Sequence, residues 1–251
     1  MTGQLSEHRF ASFDGVELGW QELGEGRALV LIHGLFSNAW TNWIRYGHAA
    51  RLAAAGHRVI MPDLRGHGLS ARPHEPAAYP PDVLARDGLT LVAHLGLSDH
   101  DLGGYSLGGR TVVRMLVAGA TPRRAIVAGM GLSGLLDTGD RADHFRATLT
   151  GLGTHRRGTP EWTAEAFLKT TGADPEAMLP LLDSFVDTSE TELRRIAAPT
   201  LVIAGETDDD NGSAAALAEL LPDGHFVSVS GTHMSAVLRP ELSEAMADFL
   251  A

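Results

Sequence analysis

The chain has 251 residues and no cysteine. That absence excludes disulfides, thiolate nucleophiles and sulfur-ligated metals, and it leaves the compartment open. Positive charge is scarce: 20 Lys and Arg stand against 31 Asp and Glu, a net charge of -11, and Lys169 is the only lysine. With no basic stripe to neutralise phosphates, nucleic acid is not an expected partner. An acidic surface also disfavours docking on anionic membranes. No uninterrupted apolar run is long enough to cross a bilayer. The stretch Met1-Thr2-Gly3-Gln4-Leu5-Ser6-Glu7 lacks the basic start and apolar core of a signal peptide. A cytoplasmic protein is the expectation. No pair of histidines has the spacing of a zinc site.

What is present is ordinary for a globular enzyme. Hydrophobic residues make up 44% of the chain, and the length suits one sizeable domain, with or without a small insertion. Residues 8–13 and 16–23, parted by Asp14-Gly15, read as an antiparallel hairpin. Apolar runs at 28–32, 58–61, 100–104, 124–130, 200–204 and 225–230 read as strands, most covered on both faces. Helical spacing at 40–55, 81–95, 107–118, 213–221 and 240–250 falls between them. From residue 28 onward strand and helix alternate, which predicts an α/β fold with a mostly parallel sheet. The alternation lapses over 134–195, a helix-like stretch punctuated by Gly151, Gly153, Gly158-Thr159-Pro160 and Ala173-Asp174-Pro175. It reads as an inserted helical cap. The expected division is a core of 1–133 and 196–251 and a cap of 134–195.

The most telling segment is Gly104-Tyr105-Ser106-Leu107-Gly108-Gly109. It leaves a strand and opens a helix, the context that makes Gly-x-Ser-x-Gly a nucleophile elbow. A side chain at Gly104 or Gly108 would collide with the neighbouring strand or helix. The turn lifts the Ser106 hydroxyl clear of the sheet and aims the first helical N–H groups at the same point.

Four more pieces join it in order: Ile32-His33-Gly34-Leu35, Pro62-Asp63-Leu64-Arg65-Gly66-His67-Gly68-Leu69-Ser70, Val202-Ile203-Ala204-Gly205-Glu206-Thr207-Asp208, and Gly231-Thr232-His233. With these the chain resembles the α/β-hydrolase superfamily, in particular its small capped serine esterases, over nearly its whole length. The resemblance implies a mostly parallel sheet of about eight strands flanked by helices, with the cap inserted after strand 6. It implies a triad in the chain order Ser106, Asp208, His233. Such a triad answers a chemical need: serine is hardly ionised at neutral pH, an imidazole must take its proton, and a carboxylate must fix the imidazole's tautomer. Asp209 and Asp210 are alternatives for the acid, and Asp137 a more distant one. The oxyanion donors implied are the backbone N–H groups of Leu107 and Leu35, with Phe36 as alternative to Leu35.

Phe36, Trp40, Tyr105, Leu132, Phe145, Phe167, Met178 and Phe185 are candidates for the substrate pocket, while Phe145, Trp162, Phe167, Met178 and Phe185 could equally form the core of the cap. His33 reads as a loop-shaping residue, and Asp63–Ser70 as a tight loop held by side-chain to backbone hydrogen bonds. His67, His94, His100, His144 and His155 read as surface or satisfied histidines. Two departures from the family pattern stand out: Gly103 replaces a bulky β-branched residue, and no glutamate precedes Pro240.

The resemblance implies hydrolysis of a small to medium carboxylic ester through an acyl-enzyme, without cofactor. Carbon–carbon bond hydrolases, lactonases and thioesterases share the triad and remain alternatives. Haloalkane dehalogenases and epoxide hydrolases of this fold use an aspartate nucleophile, where this chain has Ser106. A ligand receptor of the same fold is the alternative from another class.

Overall fold

The computed structural model describes residues 4–251. Gly15, at φ 85°, supplies the left-handed turn that joins β1 (Ser6–Ala11) to β2 (Glu17–Leu23) in an antiparallel pair. β2 pairs antiparallel with β4 (His57–Pro62). Every later pairing is parallel: β4 with β3 (Arg27–Ile32), β3 with β5 (His100–Tyr105), then β6 (Ala125–Ala128), β7 (Thr200–Gly205) and β8 (Gly224–Val229). The result is one eight-stranded sheet in the order β1-β2-β4-β3-β5-β6-β7-β8.

The apolar strands are buried because both faces are covered. Leu29 and Leu31 of β3 face α1 (His48–Ala54) and α11 (Pro240–Leu250). Val30 and Ile32 face α2 (Val83–His94), α3 (Leu107–Val117) and α9 (Ala214–Leu220). Gly103 fits this packing: a Cβ there would lie 2.8 Å from Leu31 Cδ2 and 3.4 Å from Ile126 Cβ, so those side chains fill the space a β-branched residue would take.

Two elements depart from the sequence reading. Residues 40–55 are not one helix. A π-helical turn at Trp40–Ile44 is cut from α1 by Gly47, which sits at φ 81°. Strand β6 stops at Ala128, two residues early, because Gly129 turns at φ 61° to pass over the Tyr105 ring.

Between β6 and β7 the chain forms α4 (Leu132–Leu136), α5 (Gly139–Thr150), α6 (Pro160–Thr171), α7 (Pro175–Asp183) and α8 (Glu190–Leu193). The turn signals become helix caps. Thr159 Oγ1 accepts from Trp162 N–H ahead of Pro160, and Asp174 accepts from Glu176 and Ala177 N–H ahead of Pro175. Leu168, Met178 and Leu181 of this insert join the core on the α2–α3 side. No helix among the described residues is long and apolar enough to cross a membrane.

Candidate active site

The chain runs from β3 outward to β4 and returns to place β5 on the other side of β3, so successive connections diverge there. Parallel sheets open a crevice at the carboxyl ends of such a pair. Leu35 follows β3 and Ser106 follows β5; Asp208 follows β7 and His233 follows β8.

Ser106 has φ 55° and ψ -116°, a strained position for a non-glycine residue. Close packing imposes it. A Cβ on Gly104 would lie 2.3 Å from the Gly108 carbonyl carbon, and one on Gly108 would lie 2.0 Å from the Ile32 carbonyl oxygen. Helix α3 therefore sits directly on the strand ends and presents Ser106 at its tip.

His233 Nε2 is 3.0 Å from Ser106 Oγ. Its Nδ1 is 3.1 and 3.0 Å from the two carboxylate oxygens of Asp208. Both partners are nearly buried, with side-chain exposures of 9% and 3%. Of the four aspartates considered, only Asp208 makes this contact. Asp209 is exposed, Asp210 lies 3.7 Å from Arg141, and exposed Asp137 accepts from Gly139 N–H. Helix α9 is capped by Ser213 itself, which accepts from Ala216 N–H. Tyr105 steadies the histidine from below: its hydroxyl donates to the His233 carbonyl at 2.6 Å.

The Leu35 and Leu107 N–H groups find no acceptor among the described residues. Phe36 N–H, by contrast, donates to His67 Nε2 at 3.2 Å, so it is already committed. The loop carrying Leu35 is braced on several sides. His33 Nδ1–H donates to Gly34 O at 2.8 Å, and its Nε2 accepts from Leu64 N–H at 3.0 Å. Asn42 Oδ1 accepts from Gly34 N–H, and Thr171 of the cap donates to Phe36 O. Asp63 takes Ala39 and Leu69 N–H, each at 2.7 Å, which ties this loop to the 63–70 turn. His67 donates from Nδ1 to Arg65 O. Burial holds His33 down at about 4 and His67 at about 3, so both imidazoles are neutral at ordinary pH.

Two cavities meet at Ser106. One, of about 230 Å³, is lined by Tyr105, His233, Phe167, Tyr46, Val237 and Leu238 among others. The other, of about 330 Å³, lies under the cap and is lined by Phe36, Phe145, Phe167, Ala164, Arg141 and Met234 among others. Phe185 borders a smaller niche beside them. Three expected pocket residues lie apart from these walls. Met178 is buried against Gly66, at the seam between cap and core. Trp40 is 53% exposed on its π-helical turn. Leu132 packs against the core at the start of α4.

The sequence reading missed His67 as the anchor of Phe36, and it missed Arg110 and Asn211, which line the niche. Arg110 had a signal: it lies four residues past Ser106 and so on the same side of α3. His100 is not satisfied, since it is buried with neither ring nitrogen in a hydrogen bond.

The alpha/beta hydrolase family model matches residues 29–245. Over 101 residues the chain is 42% identical to bifunctional epoxide hydrolase 2 of Sus scrofa; the match takes in 40% of this chain and only 18% of that relative's length. It is 28% identical to the non-heme chloroperoxidase CPO-A1 of Kitasatospora aureofaciens over 90% of this chain and 92% of the other. A solved thermophilic esterase from Thermogutta terrifontis superposes with a TM-score of 0.77 over 98% of both chains at 23% identity, a likeness of fold.

Proposed function

The chain belongs to the alpha/beta hydrolase family, and on that premise we propose that it cleaves a small to medium carboxylic ester through an acyl-enzyme on Ser106. The observation that carries the reading is the continuous contact from Ser106 Oγ through His233 to the buried Asp208 carboxylate. Ser106 attacks the ester carbonyl as His233 Nε2 takes its proton. Asp208 holds Nδ1–H and offsets the charge of the imidazolium. The Leu35 and Leu107 N–H groups receive the oxyanion, and because they are backbone atoms on a braced loop and a helix tip they need not reorganise. His233 then protonates the departing alcohol, and water repeats the sequence on the acyl-enzyme.

Relatives named as epoxide hydrolases share the fold. The aspartate nucleophile that the resemblance associates with that chemistry is replaced here by Ser106, which favours acyl transfer. The cavities that meet at the serine give room for both parts of an ester, which favours it too. A fluorophosphonate probe tests the reading: rapid labelling of Ser106 is expected, with turnover of short-chain esters. Ser106→Ala is expected to abolish labelling and lower turnover about 10⁶-fold. Slow or absent labelling of the native chain would instead favour a ligand receptor.

A further inference from the structure

We propose that Arg110 and Arg141 bind a carboxylate on the acyl part of the substrate, making the preferred ester a half-ester of a short dicarboxylic acid. The proposal rests on the hydrolase reading of Ser106 and adds the substrate class.

Arg110 is the observation that starts it. The side chain lies in a niche beside the nucleophile, bordered also by Leu35, Ser106, Leu107, Arg141 and Asn211. It is 6% exposed, its Nε is buried without a partner, and its one hydrogen bond runs from a terminal nitrogen to the Gly134 carbonyl at 2.9 Å. A guanidinium has five N–H donors. Among the described residues no carboxylate lies within ion-pair distance of Arg110. Its guanidinium stacks over Phe185, with 4.9 Å between carbon and ring centroid, as that of Arg141 does over Phe145. Burial, and secondarily the nearby Arg141 charge, push Arg110 down to about 10 against the opposing pull of the Asp187 charge, which still leaves it protonated at neutral pH. A buried cation facing a second cation, with no carboxylate in contact with it, is costly. An anion seated between the two reverses that cost.

Its carboxylate neighbours do not touch Arg110. Asp187 accepts from Thr138 N–H. Asp210 pairs with Arg141 at 3.7 Å on the chamber side and makes no ion pair with Arg110.

The size of the niche limits the ligand. At about 20 Å³ it has room for one or two waters, which suits the two oxygens of a carboxylate. Its walls assign the carboxylate to the acyl side. Leu107, which bears one oxyanion donor, borders the niche and neither large cavity, while His233, which must protonate the leaving alcohol, borders both large cavities and not the niche. Arg110 lies four residues past Ser106, about 6 Å along the axis, and both border the niche, so the acyl chain is of about succinyl length.

The test compares monomethyl succinate with methyl valerate, an uncharged ester of similar size, by proton release. The native enzyme is expected to favour the half-ester in kcat/KM by about 10- to 100-fold, and Arg110→Met to bring the ratio down toward one. Arg110→Lys, which keeps the charge without the fork, is expected to fall between them. Equal or better use of methyl valerate by the native enzyme, with both esters cleaved, overturns the subsite and leaves the hydrolase intact. Calorimetry of monomethyl succinate on Ser106→Ala, with and without Arg110→Met, separates the two readings. Binding that depends on Arg110 in an enzyme that cleaves neither ester upholds the subsite and overturns the esterase. No binding to Ser106→Ala, in a protein that melts normally, overturns the subsite.

Discussion

Asp208, Asp209 and Asp210 share one chemistry and differ in surroundings. Asp208 is 3% exposed and faces an imidazole nitrogen, while its neighbours lie in solvent. An amide at 208 would present a donor or a neutral acceptor to His233 Nδ1 and favour the wrong tautomer. Asp208→Asn is therefore expected to lower kcat about 10⁴-fold with little change in KM. Asp209→Asn is expected to stay within about twofold. Steady-state kinetics on one good ester decide the matter, and a severe loss in Asp209→Asn would move the acid by one residue. In the sequence it was the family resemblance, through Gly205-Glu206-Thr207-Asp208, that singled out Asp208; its contact with His233 follows from where two adjacent strands end. His67 and Asn211 were not legible. Each acts on a backbone group far away in sequence, Phe36 N–H and Gly129 O, and no local pattern encodes such a meeting.

At the scale of elements, the elbow is a packing problem solved by glycine. The Cβ that Gly108→Ala adds meets fixed backbone 2.0 Å away at Ile32, not a side chain that can turn aside. The expected cost is about 3 kcal/mol or more, a fall in Tm of roughly 6–12 °C for a chain of this size. Gly119→Ala is a fair control. Its φ is 101° but nothing lies within 4 Å of the added methyl, so only the backbone preference is lost, about 1–2 kcal/mol. Equal melting of the two variants by calorimetry would mean that α3 can slide off β3. The same physics explains which boundaries the sequence revealed. Apolar runs marked the buried strands because both faces are covered. The break between the π-helical turn and α1 stayed hidden because Gly47 lies inside a pattern that keeps helical spacing on either side. The pocket residues were the least legible, since which side of a cap helix faces the core depends on how that helix docks. Met178 and Phe167 look alike in sequence, yet one fills the seam and the other lines both large cavities.

At the scale of the whole molecule, two neutral imidazoles sit at the centre of the fold and make its stability depend on acid. His33 and His67 each donate from Nδ1 and accept a backbone N–H at Nε2. A proton on Nε2 would set donor against donor. Their folded values of about 4 and about 3 lie below the ordinary 6.5 of an unfolded chain. Between those limits the unfolded state binds more protons than the folded one, so stability rises with pH across this window and is complete above 6.5. On acidification each imidazole withdraws up to about 1.4 kcal/mol per pH unit. At pH 5 the pair has removed about 4 kcal/mol, a large share of a typical domain's stability. Asp63 opposes them. Burial raises its carboxyl, so it gains a proton more readily folded than unfolded and returns part of the loss at the acid end. Burial lowers His48, His57 and His100 as well, and they add to the same acid loss. A clear fall in Tm is expected between pH 7 and pH 5, with a shallower slope in His67→Gln, which can still accept from Phe36 N–H but does not titrate. An unchanged Tm over that range in the native chain would mean that these rings find room for a second proton. Because the N–H groups they hold belong to Phe36 and Leu64, acid is expected to loosen the loop carrying Leu35 first, so ester turnover, assayed after brief exposure and at a fixed pH, should decline before the helices melt.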